Sequence, residues 1–586
     1  MRKLYSGNEA VARGAYEAGV EIAAAYPGTP STEILENIAL YKEIYAEWSV
    51  NEKVAFEVAF GGSIGGKRSL AAMKHVGVNV AADALMTAAY TGVNGGFVLV
   101  TADDPGMFSS QNEQDNRYFA KMAQIPMLEP SNSQEAKDFT VLAFEISEKF
   151  DTPVLLRMTT RICHGKSIVE CADRKSGPQL QYNKDPQKYV MIPANARKRH
   201  VVVEERLKYL GDFAEDFTEN KTEYNDLNIG IITCGVSYQY AKEVFPDASF
   251  LKLGVSYPIP MKKIKAFAEK VKKLYVIEEL EPFLEEQLRA EGIKLTGKDV
   301  LPRLGEYSPG LLREKLLGQE PEQSKSDIKL PARPPVMCAG CPHRAVFHIL
   351  RKLKTIISGD IGCYTLSTLP PLNTMDTVLC MGASMGIAQG LVRVLEEKKR
   401  QRVVSVLGDS TFIHSGIPGL VNAVYNRANI TVIVLDNRIT AMTGHQDNPG
   451  TGKTLKGDTV PEFDFAGMAR AAGVEFVQTV DPIDVEKTKS VISQAMDYKG
   501  PSVVIAKRPC VLVDRNQFPG PMRIDWESCK ECKICLRIGC PAISVNDNKI
   551  CIDATMCFGC GLCQQICPHE SIGPLKPTNT GSDHEK

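Results

Sequence analysis

The sequence lacks any long apolar run and has almost no net charge. Among its 586 residues, 69 are Lys or Arg and 70 are Asp or Glu, which gives a formal net charge of -1. This balance does not predict the basic face that nucleic-acid binding requires. The longest apolar runs, such as residues 97–100 and 430–435, are far too short to span a bilayer. The composition therefore predicts a protein that binds neither nucleic acid nor a membrane.

The N-terminal sequence also lacks the pattern of a secretion signal. It begins Met-Arg-Lys, but Glu9, Arg13 and Glu17 interrupt any apolar run before it could act as the core of a signal peptide. The expected location is therefore a reducing cytoplasm. Disulfides are rare there, so the 17 cysteines indicate metal ligation.

Eight of these cysteines fall in two matched runs. The second run has the bacterial ferredoxin spacing C-x2-C-x2-C-x3-C-P, and the first differs only by one extra residue before its last cysteine. In such pairs, the fourth cysteine of each run ligates the other cluster. We therefore expect two 4Fe-4S clusters, one held by Cys529, Cys532, Cys535 and Cys567 and the other by Cys540, Cys557, Cys560 and Cys563. Paired zinc knuckles, which also use C-x2-C, and disulfides are the alternatives.

The rest of the chain alternates between helical and strand patterns, which predicts an α/β multidomain protein. A polar, charge-rich segment and a Pro-containing connector at residues 330–335 interrupt the alternation. The predicted order is an α/β domain with a mostly parallel sheet (1–165), a linker with small elements (166–226), a second α/β domain (227–325), a third (330–512), the ferredoxin module (520–573) and a disordered tail (574–586).

The third α/β domain contains two strands that both end in polar residues. A buried strand over 403–407 precedes Gly408-Asp409-Ser410, a helix is predicted over 415–427, and a strand over 430–435 precedes Asp436-Asn437. A right-handed βαβ unit brings both strand ends to one edge of the sheet. Asp409 and Asn437 should therefore converge, and their oxygens are ligands that Mg²⁺ prefers. The alternative is that both residues only cap turns.

This pair of strand ends resembles the thiamine diphosphate motif that runs from GD(G/S) to a closing Asn. The resemblance implies that Asp409, Asn437 and the carbonyl of Ile439 hold Mg²⁺ against the cofactor diphosphate, with Gly408 and Ser410 in the same binding turn. The Gly-rich turn at 381–385 opens a helix, so the backbone N–H groups near Gly382 are further candidates for binding the diphosphate.

Three other motifs resemble the ferredoxin-dependent 2-oxoacid oxidoreductases. Thr443-Gly-His-Gln446 resembles their T-G-x-Q, and Tyr26-Pro-Gly-Thr-Pro-Ser31 resembles their Y-P-x-T-P-S. The Thr of the second motif contacts cofactor or substrate in that family, which implies this role for Thr29. Asn51-Glu52 resembles the segment with the glutamate that activates the cofactor as an acid, so Glu52 is the candidate. Glu57 is the competitor, and an exposed helix carboxylate is the alternative for either residue.

The whole chain resembles the alpha subunits of indolepyruvate ferredoxin oxidoreductases, which belong to the thiamine diphosphate-dependent 2-oxoacid:ferredoxin oxidoreductase family. The order of the domains carries this resemblance. It implies two thiamine diphosphate-binding doubly wound α/β domains, for pyrimidine (1–165) and pyrophosphate (330–512). It also implies a transketolase-C-like α/β domain (227–325) and a C-terminal α+β two-cluster ferredoxin domain.

The resemblance also implies the reaction and its partners. An arylpyruvate, chiefly indolepyruvate, reacts with coenzyme A to give an arylacetyl-CoA and CO2, and the electrons pass through the clusters to an external ferredoxin. No segment matches the family's swivelling domain, which implies a separate beta subunit in a heterodimer or an α2β2 assembly. The alternatives are the same chemistry on pyruvate or another 2-oxoacid, and an inactive electron-transfer or scaffold subunit.

A third 4Fe-4S cluster is implied by four further cysteines. In the related pyruvate and 2-oxoglutarate enzymes, a C-x2-C, a later Gly-Cys and a Cys near the end of the domain ligate a cluster close to the cofactor. The matching residues here are Cys338, Cys341, Cys363 and Cys510. Three alternatives remain open: a structural zinc site with His343 as a ligand, free buried cysteines, and a degenerate site.

Overall fold

The computed structural model of the chain describes residues 1–177, 180–320, 328 and 334–574. The chain forms two compact units, residues 1–328 and 329–586. The predicted tail beyond Pro574 and most of the predicted connector at 330–335 lie outside the described residues. None of the helices in the described ranges is long and apolar enough to cross a membrane.

The first unit is built from strands and helices that mostly alternate along the chain. The strands are β1 (Arg2–Ser6), β2 (Ile22–Ala25), β3 (Tyr45–Trp48), β4 (Ser69–Lys74), β5 (Phe97–Asp103), β6 (Met127–Leu128), β7 (Val154–Thr159), β8 (Lys166–Glu170), β9 (Lys221–Glu223), β10 (Asp226–Cys234), β11 (Ala248–Leu253), β12 (Val255–Tyr257) and β13 (Lys273–Ile277). The helices are α1 (Gly7–Glu17), α2 (Thr32–Ile38), α3 (Glu52–Ile64), α4 (His75–Thr91), α5 (Arg117–Ala123), α6 (Ser133–Phe150), α7 (Thr160–His164), α8 (Pro186–Tyr189), α9 (Pro193–Asp216), α10 (Ser237–Val244), α11 (Met261–Ala268), α12 (Phe283–Ala290) and α13 (Pro309–Leu317).

The main sheet of the first unit has seven strands in the order β12-β6-β7-β5-β4-β2-β3. All neighbours are parallel except β12 and β6. Strands β4, β5 and β7 are buried along their whole length, as expected for parallel strands that are covered on both faces. After β2 the chain forms β3, which pairs with one side of β2, and it then forms β4, which pairs with the other side of β2. The strand order therefore reverses at β2 and β4, where ligands bind in sheets of this kind.

Two features of this unit differ from the sequence-based predictions. The sheet of the first domain is completed by β12, from the segment predicted as the second α/β domain, because Val255 pairs with Leu128. Periodicity along the chain cannot show which distant strand closes the edge of a sheet. The predicted linker with only small elements was also wrong, since it contains the 24-residue helix α9. The buried face of α9 is narrow and includes the charged residue Arg206. The sequence therefore does not show the clear apolar periodicity of an amphipathic helix.

A second sheet in this unit has the order β13-β10-β11-β9. A fully buried charge cluster joins the end of β13 to α5. The Arg117 guanidinium lies 2.6 Å from Asp115 and 2.5 Å from Glu278. A buried charge destabilises the folded protein unless it is paired. The charge of Arg117 is paired with one carboxylate beside α5 and with another beside β13.

The second unit contains a five-stranded, fully parallel sheet in the order β14-β15-β16-β18-β17. Its strands are β14 (Ile356–Ser358), β15 (Val403–Gly408), β16 (Thr431–Asp436), β17 (Phe476–Val480) and β18 (Ser502–Lys507). Its helices are α14 (His343–Leu353), α15 (Ala383–Val394), α16 (Glu397–Arg400), α17 (Asp409–Thr411), α18 (Ile417–Tyr425), α19 (Phe465–Ala471) and α20 (Val485–Asp497), with a 3₁₀ helix at Cys363–Thr368. The predicted strands at 403–407 and 430–435 are confirmed as β15 and β16. The predicted helix between them begins earlier, because α17 and α18 are joined by a π-helical turn at Phe412–Gly416.

The C-terminal part of the second unit has little regular structure. It comprises β19 (Met522–Ile524), β20 (Ile543–Asn546), β21 (Lys549–Ile552), β22 (Ile572–Pro574), α21 (Leu562–Ile566) and a 3₁₀ helix at Ile534–Ile538. Strands β19 and β22 pair antiparallel, as do β20 and β21. The β20-β21 hairpin separates the two cysteine runs. Cys535 and Cys563, one from each run, are buried in a common apolar cluster of this unit.

Candidate functional site

Asp409 and Asp436 meet at the carboxyl edge of the second unit's sheet. Gly408 pairs with Leu435 across β15 and β16, so the next residue of each strand, Asp409 and Asp436, lies at the same level of this edge. Asp409 is 2% exposed, and its Oδ1 accepts a hydrogen bond of 2.6 Å from the N–H of Ser410. Among the described residues, no donor reaches its buried Oδ2.

The charge state of Asp409 reflects this environment. Burial raises the pKa of Asp409 to about 7, and nearby Asp436 acts in the same direction, whereas the N–H groups of Ser410, Arg438 and Ile439 oppose the shift. Burying a carboxylate oxygen that has no hydrogen-bond donor, next to a second carboxyl group, raises the free energy of the folded protein. A divalent cation with open positions for phosphate would compensate it. The residues therefore fit a site for Mg²⁺ and a diphosphate.

The loop that follows β16 lies beside Asp409, since the N–H groups of Arg438 and Ile439 act on its carboxyl group. Asn437 follows β16 and is 8% exposed. Arg438 takes a positive φ of 60°, which turns the chain so that the N–H of Ile439 faces Asp409. The predicted contact between the carbonyl of Ile439 and the metal stays a prediction.

The glycines near this edge have steric roles. The N–H of Gly408 donates to the Tyr364 hydroxyl at 2.9 Å, and a Cβ at Gly408 would lie 3.1 Å from the Tyr364 ring. Gly382 has a φ of 84°, and a Cβ there would lie 2.5 Å from that of Ser415.

Sequence reasoning missed Asp360, which occupies the helix N-terminus assigned to the diphosphate. Its carboxylate accepts hydrogen bonds from the N–H of Gly382 at 3.0 Å and of Ser384 at 3.1 Å. Burial raises the pKa of Asp360 to about 6, and these N–H groups oppose the shift. Because Asp360 accepts from the N–H of Gly382, donation from Gly382 to the diphosphate stays a prediction. The sequence feature that could have identified Asp360 is its place as a polar residue just after the strand β14.

Thr29 lies where the strand order of the first unit reverses. Its loop follows β2 and folds on itself, since the N–H of Gly28 donates to Thr32 Oγ1 at 3.0 Å and Ser31 Oγ donates to the Gly28 carbonyl at 2.9 Å. Thr29 is partly exposed, and its carbonyl accepts a hydrogen bond of 3.3 Å from Ser109 Oγ.

Glu52 is a buried acid at the start of α3. The side chain of Asn51 caps this helix by accepting the N–H of Val54 at 2.9 Å. Glu52 is 5% exposed, and a Cβ at Gly77 would lie 2.7 Å from its Oε1, so glycine leaves room for the carboxyl group. The competitor Glu57 is about half exposed and pairs with Lys53. The environment favours Glu52, and its catalytic role stays a prediction.

Sequence reasoning also missed Lys74, at the end of β4. This lysine is 8% exposed, and its Nζ donates to the Ser109 carbonyl at 2.6 Å. Burial lowers the pKa of Lys74 to about 8, while Asp104 opposes the shift. Its Cβ lies 2.9 Å from where a Cβ on Gly28 would stand. A buried cation therefore lies against the Thr29 loop.

The two ferredoxin-like cysteine runs come together in the crossed pattern. Cys529, Cys532, Cys535 and Cys567 line one pocket. In the other set, burial raises the pKa of Cys563 to about 12, and its neighbours Cys560, Cys540 and Cys557 add to the shift. Each predicted set of four is thus grouped in space.

The third set of cysteines is also grouped. Burial raises the pKa of Cys363 to about 11, and Cys510 and Cys338 lie close enough to add to the shift. Burial raises the pKa of Cys341 to about 12, with Cys363 and Cys338 acting in the same direction. Within the described ranges, no group of three or more His, Cys, Asp or Glu side chains is arranged to hold a single metal ion.

Comparison with known proteins identifies the family. A family described as "Pyruvate flavodoxin/ferredoxin oxidoreductase, thiamine diP-bdg" matches residues 13–212, and "Thiamine pyrophosphate enzyme, C-terminal TPP binding domain" matches residues 360–506. The indolepyruvate oxidoreductase subunit IorA of Archaeoglobus fulgidus is 42% identical over 97% of this chain and 97% of its own length. The chain belongs to the family of indolepyruvate oxidoreductase IorA subunits.

Other members of this family are equally similar. The IorA subunit of Thermococcus kodakarensis is 42% identical over 98% of this chain and 97% of its own length.

A solved 2-oxoglutarate:ferredoxin oxidoreductase from Magnetococcus marinus aligns with a TM-score of 0.46 and 18% identity, over 54% of this chain and 65% of that chain. Membership in the IorA family makes the chain an oxidoreductase with thiamine diphosphate-binding domains.

Replacing Asp409 by Ala should abolish Mg²⁺-dependent retention of thiamine diphosphate, because the site loses a carboxylate oxygen that has no hydrogen-bond donor among the described residues. We expect the cofactor left after desalting to fall below about a tenth of the wild-type content. Asp497→Ala is the control, since Asp497 is exposed at the end of α20. Wild-type cofactor content in Asp409→Ala would contradict the assignment.

Proposed function

We propose that this chain catalyses the oxidative decarboxylation of an arylpyruvate, with indolepyruvate preferred, and that coenzyme A accepts the acyl group. The electrons pass through iron-sulfur clusters to ferredoxin. The proposal that decarboxylation is coupled to electron transfer rests on one observation. The N–H of Cys510 donates a hydrogen bond to the carbonyl of Asn437 at 3.0 Å. Cys510, a cysteine of the third set, is thus in contact with Asn437, one of the proposed metal-site residues.

The residues of each unit have separate tasks in this proposal. Thiamine diphosphate, when bound, supplies the electron sink for loss of CO2 from a 2-oxoacid. Asp409 and Asn437 would hold Mg²⁺ together with the diphosphate. Glu52 would supply the acid that activates the cofactor from a buried position, and Thr29 would contact cofactor or substrate at the strand-order reversal of the first unit.

Three 4Fe-4S clusters complete the proposed set of cofactors. The crossed sets of the ferredoxin-like runs hold two of them, and the set of Cys338, Cys341, Cys363 and Cys510 holds the third. This arrangement is supported by the grouping of each set in space. A relay between the cofactor and the ferredoxin-like part shortens each electron-transfer step.

A second subunit is part of the proposed enzyme. The relatives are named as subunits, and we propose a separate beta subunit in a heterodimer or an α2β2 assembly. Ferredoxin would then dock as the external acceptor, and coenzyme A as the second substrate.

Anaerobic turnover with a panel of 2-oxoacids, coenzyme A and a viologen acceptor tests the proposed reaction. We expect indolepyruvate and phenylpyruvate to exceed pyruvate and 2-oxoglutarate in kcat/KM by at least about tenfold, which corresponds to about 1.4 kcal/mol of transition-state binding. The assay is run with and without the candidate beta subunit. Faster turnover of pyruvate would favour another 2-oxoacid as substrate, and absence of both turnover and bound thiamine diphosphate would favour a scaffold.

Glu52→Gln should lower indolepyruvate turnover by about 100-fold or more, the usual contribution of a positioned acid or base. Thiamine diphosphate content should stay near the wild-type value, because the diphosphate is held elsewhere. Glu57→Gln is the matched control on the same helix and should leave turnover unchanged. Wild-type turnover in Glu52→Gln together with loss in Glu57→Gln would reverse the assignment.

Cys338→Ala should remove about four irons per chain from anaerobically reconstituted protein, one cube's worth. The signals of the other two clusters should remain, because their eight ligands are untouched. Cys551→Ala is the control, since this cysteine belongs to none of the three sets. An unchanged iron content, or zinc bound at the Cys338 set, would argue against the third cluster.

A further inference from the structure

Arg344 is a buried cation that joins two distant loops of the second unit. It is 3% exposed, and within the described part of the chain its guanidinium donates hydrogen bonds only to backbone carbonyls. Its Nε donates to Cys338 at 3.1 Å and its Nη2 to Met337, while its Nη1 donates to Ile538 at 3.1 Å and to Gly539. One side of the guanidinium thus binds the C-x2-C loop of the third set, and the other binds the turn before Cys540.

Cysteines from two different sets lie near Arg344. Burial lowers the pKa of Arg344, and the groups that oppose this shift are Cys341, Cys540, Cys338 and Cys560. Cys338 and Cys341 belong to the third set, whereas Cys540 and Cys560 belong to a ferredoxin-like set. Once these thiols are thiolates that ligate iron, Arg344 lies between two anionic centres.

The extra residue in the first cysteine run forms part of this contact. The turn between Cys535 and Cys540 ends at Gly539, which has a φ of 65°. A Cβ at Gly539 would lie 2.8 Å from Pro371 Cδ and 3.4 Å from Arg344 Nη1. The longer gap and the glycine together give a turn whose two carbonyls face the guanidinium.

A second contact holds the same loops together. Gly340, inside the C-x2-C loop, has a φ of 71°, and a Cβ there would lie 3.1 Å from Val511 Cγ2 and 3.2 Å from Phe558 Cβ. Burial raises the pKa of the Cys540 thiol, and the N–H of Gly340 is among the groups that lower it. The C-x2-C loop therefore packs directly against the loop that carries Cys557.

We propose that Arg344 is a positioning residue for electron transfer, which fixes the loop of the Cys338 set against the loops of the Cys540 set. Its charge also favours the reduced state of the clusters held by both sets, because reduction adds negative charge beside a cation in a poorly screened interior. The inference rests on the clusters of the proposed function.

The test compares three variants of the full-length, anaerobically reconstituted protein. Arg344→Gln removes the charge and most donors, Arg344→Lys keeps the charge but loses the two-sided fork, and Arg351→Gln is the control on the same helix. The readouts are iron content, cluster midpoint potentials from redox titrations followed by electron paramagnetic resonance, and the magnetic coupling between reduced neighbouring clusters.

In Arg344→Gln we expect a tenfold loss of the reduced state at equilibrium, which for one electron is a downward shift of about 59 mV. Arg344→Lys should keep the potentials near the wild-type values but weaken the magnetic coupling. Arg351→Gln should match the wild type in both. Full iron content with unchanged potentials in Arg344→Gln would overturn the electrostatic role, and unchanged coupling in Arg344→Lys would overturn the positioning role.

The iron content separates this inference from the proposed function. If Arg344→Gln loses iron, the positioning role is tested by the magnetic coupling between the reduced clusters of Arg344→Lys. A wild-type chain with only about eight irons, two cubes' worth, would contradict the third cluster. The role of Arg344 would then be supported by a lowered potential of the Cys540 cluster and overturned by an unchanged one.

Discussion

A parallel strand can place a functional residue at the ligand-binding edge of its sheet only where that strand ends. Both units use this constraint. In the second unit, Asp409 follows β15 and Asp436 ends β16, and the strand beside β16, β18, leads to Cys510, whose N–H donates to the carbonyl of Asn437. Asn437 and Cys510 are therefore in contact, although distant in the sequence, because their strands are neighbours. In the first unit, the same geometry brings Lys74 against the loop of Thr29.

Arg117 and Asp409 are both buried ionisable residues, but they differ in how their charge is compensated. Arg117 is fully buried but paired with Asp115 and Glu278, so its charge is compensated within the first unit. Asp409 differs, because one of its oxygens has no donor among the described residues and Asp436 lies nearby. Leaving a buried charge uncompensated costs several kcal/mol. Such a cost is tolerable where a cation completes the site.

The sequence predicted those parts of the site that depend on short spacing. The cysteine runs are local motifs, and the structure groups them in the crossed sets that their spacing indicated. The strands before Asp409 and Asp436 were also predicted, because they are continuous apolar runs. Features set by distant packing were missed. Asp360 binds the N–H of Gly382 from 22 positions away, strand β12 closes an edge from a later segment, and the narrow buried stripe of α9 is diluted by polar residues.

The longer gap before Cys540 shows how a local irregularity can mark a long-range contact. Within the cysteine run alone, the extra residue has no purpose, since the usual gap already lets the cysteine reach its cluster. In the structure, the carbonyls of Ile538 and Gly539 meet Arg344, which also binds the loop of Cys338. A lysine could supply the charge but is a single point donor, whereas the planar guanidinium donates in several fixed directions. The two-sided contact thus combines the several donors of an arginine with the carbonyls of the lengthened turn.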